Sequence, residues 1–238
     1  MSTNRKIGAA VPVKAAEEAK QRLAGVLSRA QRRQLAHTML EDVLAALVKT
    51  PELASILVVT ADESAAELAA RYGAEISEEA ARDGHTAAVA AAARRLEKRG
   101  LDMLALPADI PLVQGEDIRH LLAVHGETAR RGGNRFTIVP SRDERGSNAI
   151  ACSPAGVVPL RFGEDSFFPH LKAAKASGIE PVVVRLPNVA LDIDTPQDVE
   201  LLRAMPARTR TQALLDGWRF PFTAPCTDAR RKAPRSSG

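Results

Sequence analysis

Asp109, Asp192 and Asp194 are the side chains whose types and positions best suit chemistry, and that chemistry would be the holding of a hard cation. Asp109 stands in Leu106-Pro107-Ala108-Asp109-Ile110-Pro111, after an apolar run; the other two stand in Leu191-Asp192-Ile193-Asp194-Thr195-Pro196. Residues two apart in an extended segment point to the same side, so Asp192 and Asp194 can converge on one ion. With Asp109 they would make an all-oxygen set suited to Mg²⁺, which takes a few carboxylates together with phosphates and water. The plainer alternative is that Asp109 begins a turn before Pro111 and Asp194 helps to start a helix.

Cations and small polar residues supply the complement. Lys14 closes the run Val11-Pro12-Val13-Lys14 and is followed by Lys20 and Arg22. Cations leaving a strand can hold a triphosphate as point charges and a guanidinium fork; otherwise they are solvated helix charges. Neither a Walker loop nor G-x-G-x-x-G is present. Arg145-Gly146-Ser147-Asn148 offers a hydroxyl, an amide and a close backbone approach. Gly163 and Ser166, in Arg161-Phe162-Gly163-Glu164-Asp165-Ser166, precede a helix whose N-terminus favours anions. Both segments also read as ordinary turns. His37, His120 and His125 read as surface or packing residues, and no serine or cysteine is paired with a histidine in a nucleophile motif.

The elements that must position these residues alternate in type. Strand-like runs cover Ile7–Val13, Ser55–Thr60, Ala74–Ile76, Met103–Pro107, Phe136–Pro140, Asn148–Cys152 and Pro181–Leu186. Helical spacing follows Ser28, with Leu35, Met39, Val43 and Leu47 in step, and then Asp62; further helices span His85–Arg99, Glu116–His125 and Ser166–Ser177. Thr195-Pro196-Gln197-Asp198 reads as a capped helix start running to about Ala204. Such alternation predicts one α/β domain with a doubly wound, mostly parallel sheet, and ligands bind such sheets at the C-terminal ends of the strands.

Composition limits the function classes. The chain has 238 residues, 45% hydrophobic but only 3% aromatic, so bases have few rings on which to stack. From Pro206 to Gly238 there are seven Lys/Arg and two Asp/Glu, so this stretch carries +5 of the net +4 and the rest about −1. Basicity is thus a property of the C-terminal stretch, which argues against nucleic acid as a partner. The expected organisation is a domain over residues 1–205 and a basic, partly disordered tail over 206–238. In that tail Leu214, Leu215, Trp218 and Phe220 form an apolar cluster for the domain or for a second subunit, which leaves a homodimer open. No apolar run reaches membrane length and no signal peptide is read. Cys152 and Cys226 form no framework, and the expected compartment is the cytoplasm.

Taken in order, VPVK followed by AKQRLA, then LPADIPL, RGSNAI, RFGEDSFFPH and ALDIDTPQD resemble the guanylyltransferases of coenzyme F420 biosynthesis, over about residues 7–204. These make the GMP adduct of phospholactate, phosphoenolpyruvate or phosphoglycerate. The resemblance implies a GT-A-like nucleotidyltransferase fold, shared with molybdenum-cofactor guanylyltransferases. It implies Mg²⁺ on Asp109, Asp192 and Asp194, and catalysis by Lys14 and Asp109. Ser147, Gly163 and Ser166, with Asn148 beside them, would bind the acceptor acid. Lys14, Lys20, Arg22, His85 and Thr86 would lie at the GTP. Ser147 stands where threonine is commoner, and His85-Thr86 where leucine and asparagine are commoner. These added polar groups tilt the expected acceptor towards 3-phosphoglycerate. The alternatives are another nucleotidyltransferase, giving an NDP-sugar, a CDP-alcohol or a molybdopterin dinucleotide, and an inert nucleotide-binding module. The glycine-rich loop of the former is missing, since Lys14 leads into Ala15-Ala16-Glu17-Glu18.

Overall fold

Neighbouring residues of Ile7–Pro12 (β1) enter different cores: Ala9 and Val11 pack on one side, Ala10 on the other. That is the burial of a strand covered on both faces by helices. In the computed structural model, which describes residues 5–15, 20–127, 133–163 and 165–218, β1 lies near the middle of a seven-stranded sheet. The other strands are Leu53–Val59 (β2), Glu75–Ser77 (β3), Asp102–Ala105 (β4), Arg135–Pro140 (β5), Ser147–Ser153 (β6) and Val182–Val183 (β7). Their order is β3-β2-β1-β4-β6-β5-β7. Every pairing is parallel except those of β6, which runs against both β4 and β5. The doubly wound, mostly parallel sheet expected from the sequence is therefore the one observed.

Arg29–Val48 (α1), Glu63–Arg71 (α2) and Gly115–Glu127 (α4) cover one face. His85–Lys98 (α3) and Phe167–Ala176 (α5) cover the other. With few aromatic rings the layers close by near approach: a Cβ on Gly8 would come 2.5 Å from Leu96 Cδ2, so β1 needs a glycine where α3 crosses it. The helix starts follow the sequence. Ser28 and Gln31 form a capping box on α1, Asp62 caps α2, and Thr195 with Asp198 caps Pro196–Ala204 (α7).

Two elements differ from expectation. The strand expected over 181–186 shrinks to the half-buried pair of β7, because it is the last strand of the sheet and pairs with β5 alone. Pro187–Ala190 (α6) follows at once. The stretch from 206, expected as a tail, instead begins with a helix, Arg210–Gly217 (α8). Leu215 is fully buried, in a cluster with Leu35 and Met39 of α1, Val199 and Leu202 of α7, and Leu191 and Ile193. Asp42 of α1 reaches the N-terminus of α8, accepting from the Arg210 and Thr211 amides at 3.1 and 2.9 Å and from Thr211 Oγ1 at 2.7 Å. A buried carboxylate is well placed there, where helix N–H groups lack partners. Gln212 in turn donates to the Leu202 and Met205 carbonyls, closing the end of α7. Phe220 and Cys226 lie outside the described residues; Cys152 is buried, and burial pushes its thiol up.

Candidate active site

The direction of β6 brings the site together. Because β6 is antiparallel, its first residues, Ser147 and Asn148, lie at the same end of the sheet as the last residues of β1 and β4. Lys14 follows β1 there and Asp109 follows β4. The loop between α6 and α7 is pinned alongside: the Ile193 amide donates to the Asp109 carbonyl at 3.0 Å, which sets Asp192 and Asp194 on either side of that contact. Asp198 fixes the end of this loop, accepting from the Asp194 and Thr195 amides at 3.2 and 2.8 Å.

A cleft of about 510 Å³ opens here, lined by Lys14, His85, Thr86, Asp109, Ser147, Asn148, Gly163, Ser166 and Asp192 among others. Adjoining hollows hold the remaining residues anticipated from the sequence. One contains Lys20 with Lys14, Asp109 and Asp194, and another Arg22 with Asp192 and Asp194. All of the anticipated residues thus border one contiguous region, although their immediate partners are not all those expected.

Lys20 is the main surprise. Rather than standing free at the rim, its ammonium is buried between two of the acids, 2.6 Å from Asp109 Oδ2 and 2.8 Å from Asp194 Oδ1. Burial alone would lower its pKa, but the two carboxylates outweigh that and hold it above the usual lysine value. Asp194 answers in kind: burial pushes it up, yet Lys20, Arg22 and Lys14 bring it below the usual range. Asp192 goes the other way. Burial and the nearby Asp109 charge raise its carboxyl, against a 3.0 Å hydrogen bond from Asn148 Nδ2. Asp109 Oδ1 is buried with no hydrogen-bond partner. Among the described residues no three acid, histidine or cysteine side chains are gathered closely enough to hold a metal as they stand.

The polar residues are also committed to one another. Asn148 Nδ2 gives its second hydrogen to the Val189 carbonyl at 3.0 Å, so the amide ties β6 to α6 and to Asp192. Thr86 Oγ1 accepts from the Phe162 amide at 3.0 Å and lies 3.3 Å from the Phe162 carbonyl. It clamps the 161–163 loop onto α3 rather than capping that helix. Gly163 has φ +150 with nothing within 4 Å of a would-be Cβ, so backbone strain rather than space favours glycine there. Ser166 precedes α5 without capping it; its hydroxyl donates to Ser147 Oγ at 3.3 Å. His85, at the start of α3, stacks edge-on against Phe162 with centroids 4.6 Å apart. Burial brings its pKa down to about 4, with Asp109 opposing and Lys14 adding to the shift. The sequence reading gave no role to His170, whose Nδ1 lies 2.9 Å from Ser147 Oγ. Its spacing of four from Ser166 was the available signal, since such residues share a helix face.

Solved structures share this mixed sheet. A nucleotide-diphospho-sugar transferase structure from Desulfovibrio desulfuricans superposes with a TM-score of 0.69 at 19% identity, covering 90% of this chain and 95% of that one. A nucleotidyl transferase from Methanothermobacter thermautotroptrophicus gives 0.56 at 13%, covering 90% and 100%. Residues 7–232 match the family described as "Guanylyl transferase CofC like", and the chain belongs to that family of guanylyltransferases. It is 36% identical over 204 residues to a phosphoenolpyruvate guanylyltransferase of Conexibacter woesei, covering 85% of this chain and 89% of the relative. It is 33% identical over 192 residues to a 3-phospho-D-glycerate guanylyltransferase of Colwellia psychrerythraea, covering 81% and 89%. No helix among the described residues is long and apolar enough to cross a membrane.

Proposed function

We propose that the protein joins the GMP part of GTP to the phosphate of phosphoenolpyruvate, releasing pyrophosphate, as a step in coenzyme F420 biosynthesis. The observation that carries this reading is that the hydroxyls of Ser147 and Ser166 and the acids Asp109 and Asp192 border one cleft with Lys14. Beside it lies a hollow of about 300 Å³ walled in part by Val13, Val59, Ala61, Ala81 and Ala88, with Lys14, Arg82 and His85 also lining it, a mixed lining that can take a base. Lys14 and the first turn of α3 stand between the two, where the triphosphate would cross.

The reaction needs little from a base. The acceptor's phosphate is already largely ionised at neutral pH, its second pKa being about 6. One of its oxygens attacks the α-phosphorus of GTP in line, forming a P–O bond. The bond to the bridging β-phosphate oxygen breaks, and pyrophosphate departs with the electron pair. The protein aligns the two anions and offsets their repulsion with Lys14 and Arg22, while Lys20 neutralises Asp109 and Asp194. Two features of the acids suit a divalent cation: Asp109 Oδ1 lacks a partner, and burial with the nearby Asp109 charge raises the Asp192 carboxyl. Asp109, Asp192 and Asp194 would hold Mg²⁺, which would supply charge neutralisation at the phosphates.

The tilt towards 3-phosphoglycerate loses one of its two supports, because the Thr86 hydroxyl is spent on the Phe162 backbone, while His85 still lines the cleft. An acceptor without an extra hydroxyl then suits the cleft, and the phosphoenolpyruvate relatives at 34–38% identity favour the same choice. The Colwellia relative keeps 3-phosphoglycerate as the second reading. Equal amounts of the two acids should be offered with limiting GTP and Mg²⁺, and the products separated by mass. A predominant phosphoenolpyruvate adduct is expected; a predominant phosphoglycerate adduct would move the assignment to the second reading, and neither adduct would overturn both.

A further inference from the structure

Resting on that acceptor reading, we propose that His170 is a positioning residue that aims the Ser147 hydroxyl hydrogen at the acceptor's anionic oxygens. His170 is completely buried, one helical turn after Ser166. Its two ring nitrogens have different partners. The Arg161 backbone N–H points at Nε2 from 2.9 Å, so Nε2 must be the bare, accepting nitrogen. The neutral ring then carries its hydrogen on Nδ1, which donates to Ser147 Oγ at 2.9 Å. Ser166 Oγ donates to the same oxygen from 3.3 Å. Ser147 Oγ thus accepts from both; the His170 Nδ1–H cannot take its hydrogen, and the Ser166 hydroxyl, as it is oriented, gives rather than takes. That hydrogen is left for the cleft that Ser147 lines.

The ring is kept in this state by its surroundings. Phe162 packs edge-on against it at 5.0 Å between centroids, and His85 packs on Phe162 in turn. Burial, with the nearby His85, brings the His170 pKa down to about 4, so the ring stays neutral at working pH. A protonated ring would turn Nε2 into a donor facing the Arg161 donor. A serine hydroxyl can rotate between donor and acceptor; the fixed Nδ1–H donor of His170 restricts that freedom before the acid arrives.

Asparagine and glutamine separate the two ring nitrogens, since an Asn amide reaches about as far as Nδ1 and a Gln amide about as far as Nε2. His170→Asn, which keeps a donor to Ser147, should hold the KM for phosphoenolpyruvate or 3-phosphoglycerate, whichever turns over, within a few-fold of the wild type. His170→Gln should raise that KM about ten- to a hundred-fold, the size expected for a misdirected bond to a charged oxygen, while the KM for GTP stays unchanged. Ring nitrogen NMR of the wild-type protein reads the tautomer without any acceptor, so it decides this point even if neither acid is a substrate. Protonated Nδ1 with bare Nε2 is expected. Protonated Nε2, equal acceptor KM values for the two variants, or a matching rise in the KM for GTP would overturn the proposal. A wild-type protein that turns over neither acid while showing the expected tautomer would instead count against the acceptor reading.

Discussion

Lys20 lies between Asp109 and Asp194, two of the three acids proposed to hold a divalent cation. A buried ammonium held by two carboxylates leaves both acids uncompensated when it is removed. Lys20→Met should therefore lower the melting temperature, and Mg²⁺ should raise it by more in the variant than in the wild type, because the metal no longer competes with a resident cation. Thermal melts with and without Mg²⁺, and with Ca²⁺ as a second probe, would check this. An equal shift in both proteins would separate Lys20 from the metal site. The sequence placed Lys20 near the nucleotide by motif, but its reach to acids 89 and 174 residues away has no local trace. That Asp109, Asp192 and Asp194 would border one region was legible because all three follow apolar runs. Asn148 and Thr86 were marked as ligand contacts by type, whereas their hydrogen bonds go to Val189, Asp192 and the Phe162 backbone.

The α8 helix ties the acid-bearing loop to α1. Leu215 sits in the cluster that also contains Leu191 and Ile193, the residues flanking Asp192. Leu215→Ala should cost about 2–4 kcal/mol in urea unfolding, as large-to-small changes in cores do. It should also lower kcat more than an equally destabilising change outside that cluster, such as Leu121→Ala in α4. Equal kinetic effects for equal stability losses would mean that α8 supports the fold without steering the loop. The apolar cluster with Leu215 and Trp218 was legible here, but the helix was not: the stretch from 206 is basic, and its helix is anchored by Asp42, a residue 168 positions earlier. Strands and caps were readable because apolar runs and Ser28, Asp62 and Thr195 act locally. The reversed direction of β6 was not, since pairing partners decide it.

For the whole molecule, histidine rings make stability depend on pH, His125 and His170 together with His85 of the cleft. His125 bonds Thr137 and Ser153 at 2.8 Å each, and His170 bonds Ser147 and the Arg161 amide. Both have pKa values of about 4, burial being the main cause, against about 6.5 in an unfolded chain. Between those values the unfolded chain takes up protons that the folded chain refuses. Stability present above about pH 6.5 is therefore lost as pH falls towards 4, by up to about 3 kcal/mol per ring. Urea midpoints measured from pH 7.5 down to 4.5 should fall, and His125→Gln should flatten part of that slope. A flat wild-type profile over this window would show that these rings titrate alike in both states.

The central claim, that the acceptor's phosphate attacks the α-phosphorus of GTP, is tested most directly by following two labels. The protein should be incubated with Mg²⁺, phosphoenolpyruvate or 3-phosphoglycerate, and GTP radiolabelled at either the α- or the γ-phosphorus. The expected result is that α-label moves into an adduct of the acid while γ-label leaves as pyrophosphate, and that Asp109→Asn slows both together. Label from the γ-position in the acid or in free phosphate, or α-label that stays in GTP with every phosphorylated three-carbon acid, would contradict it.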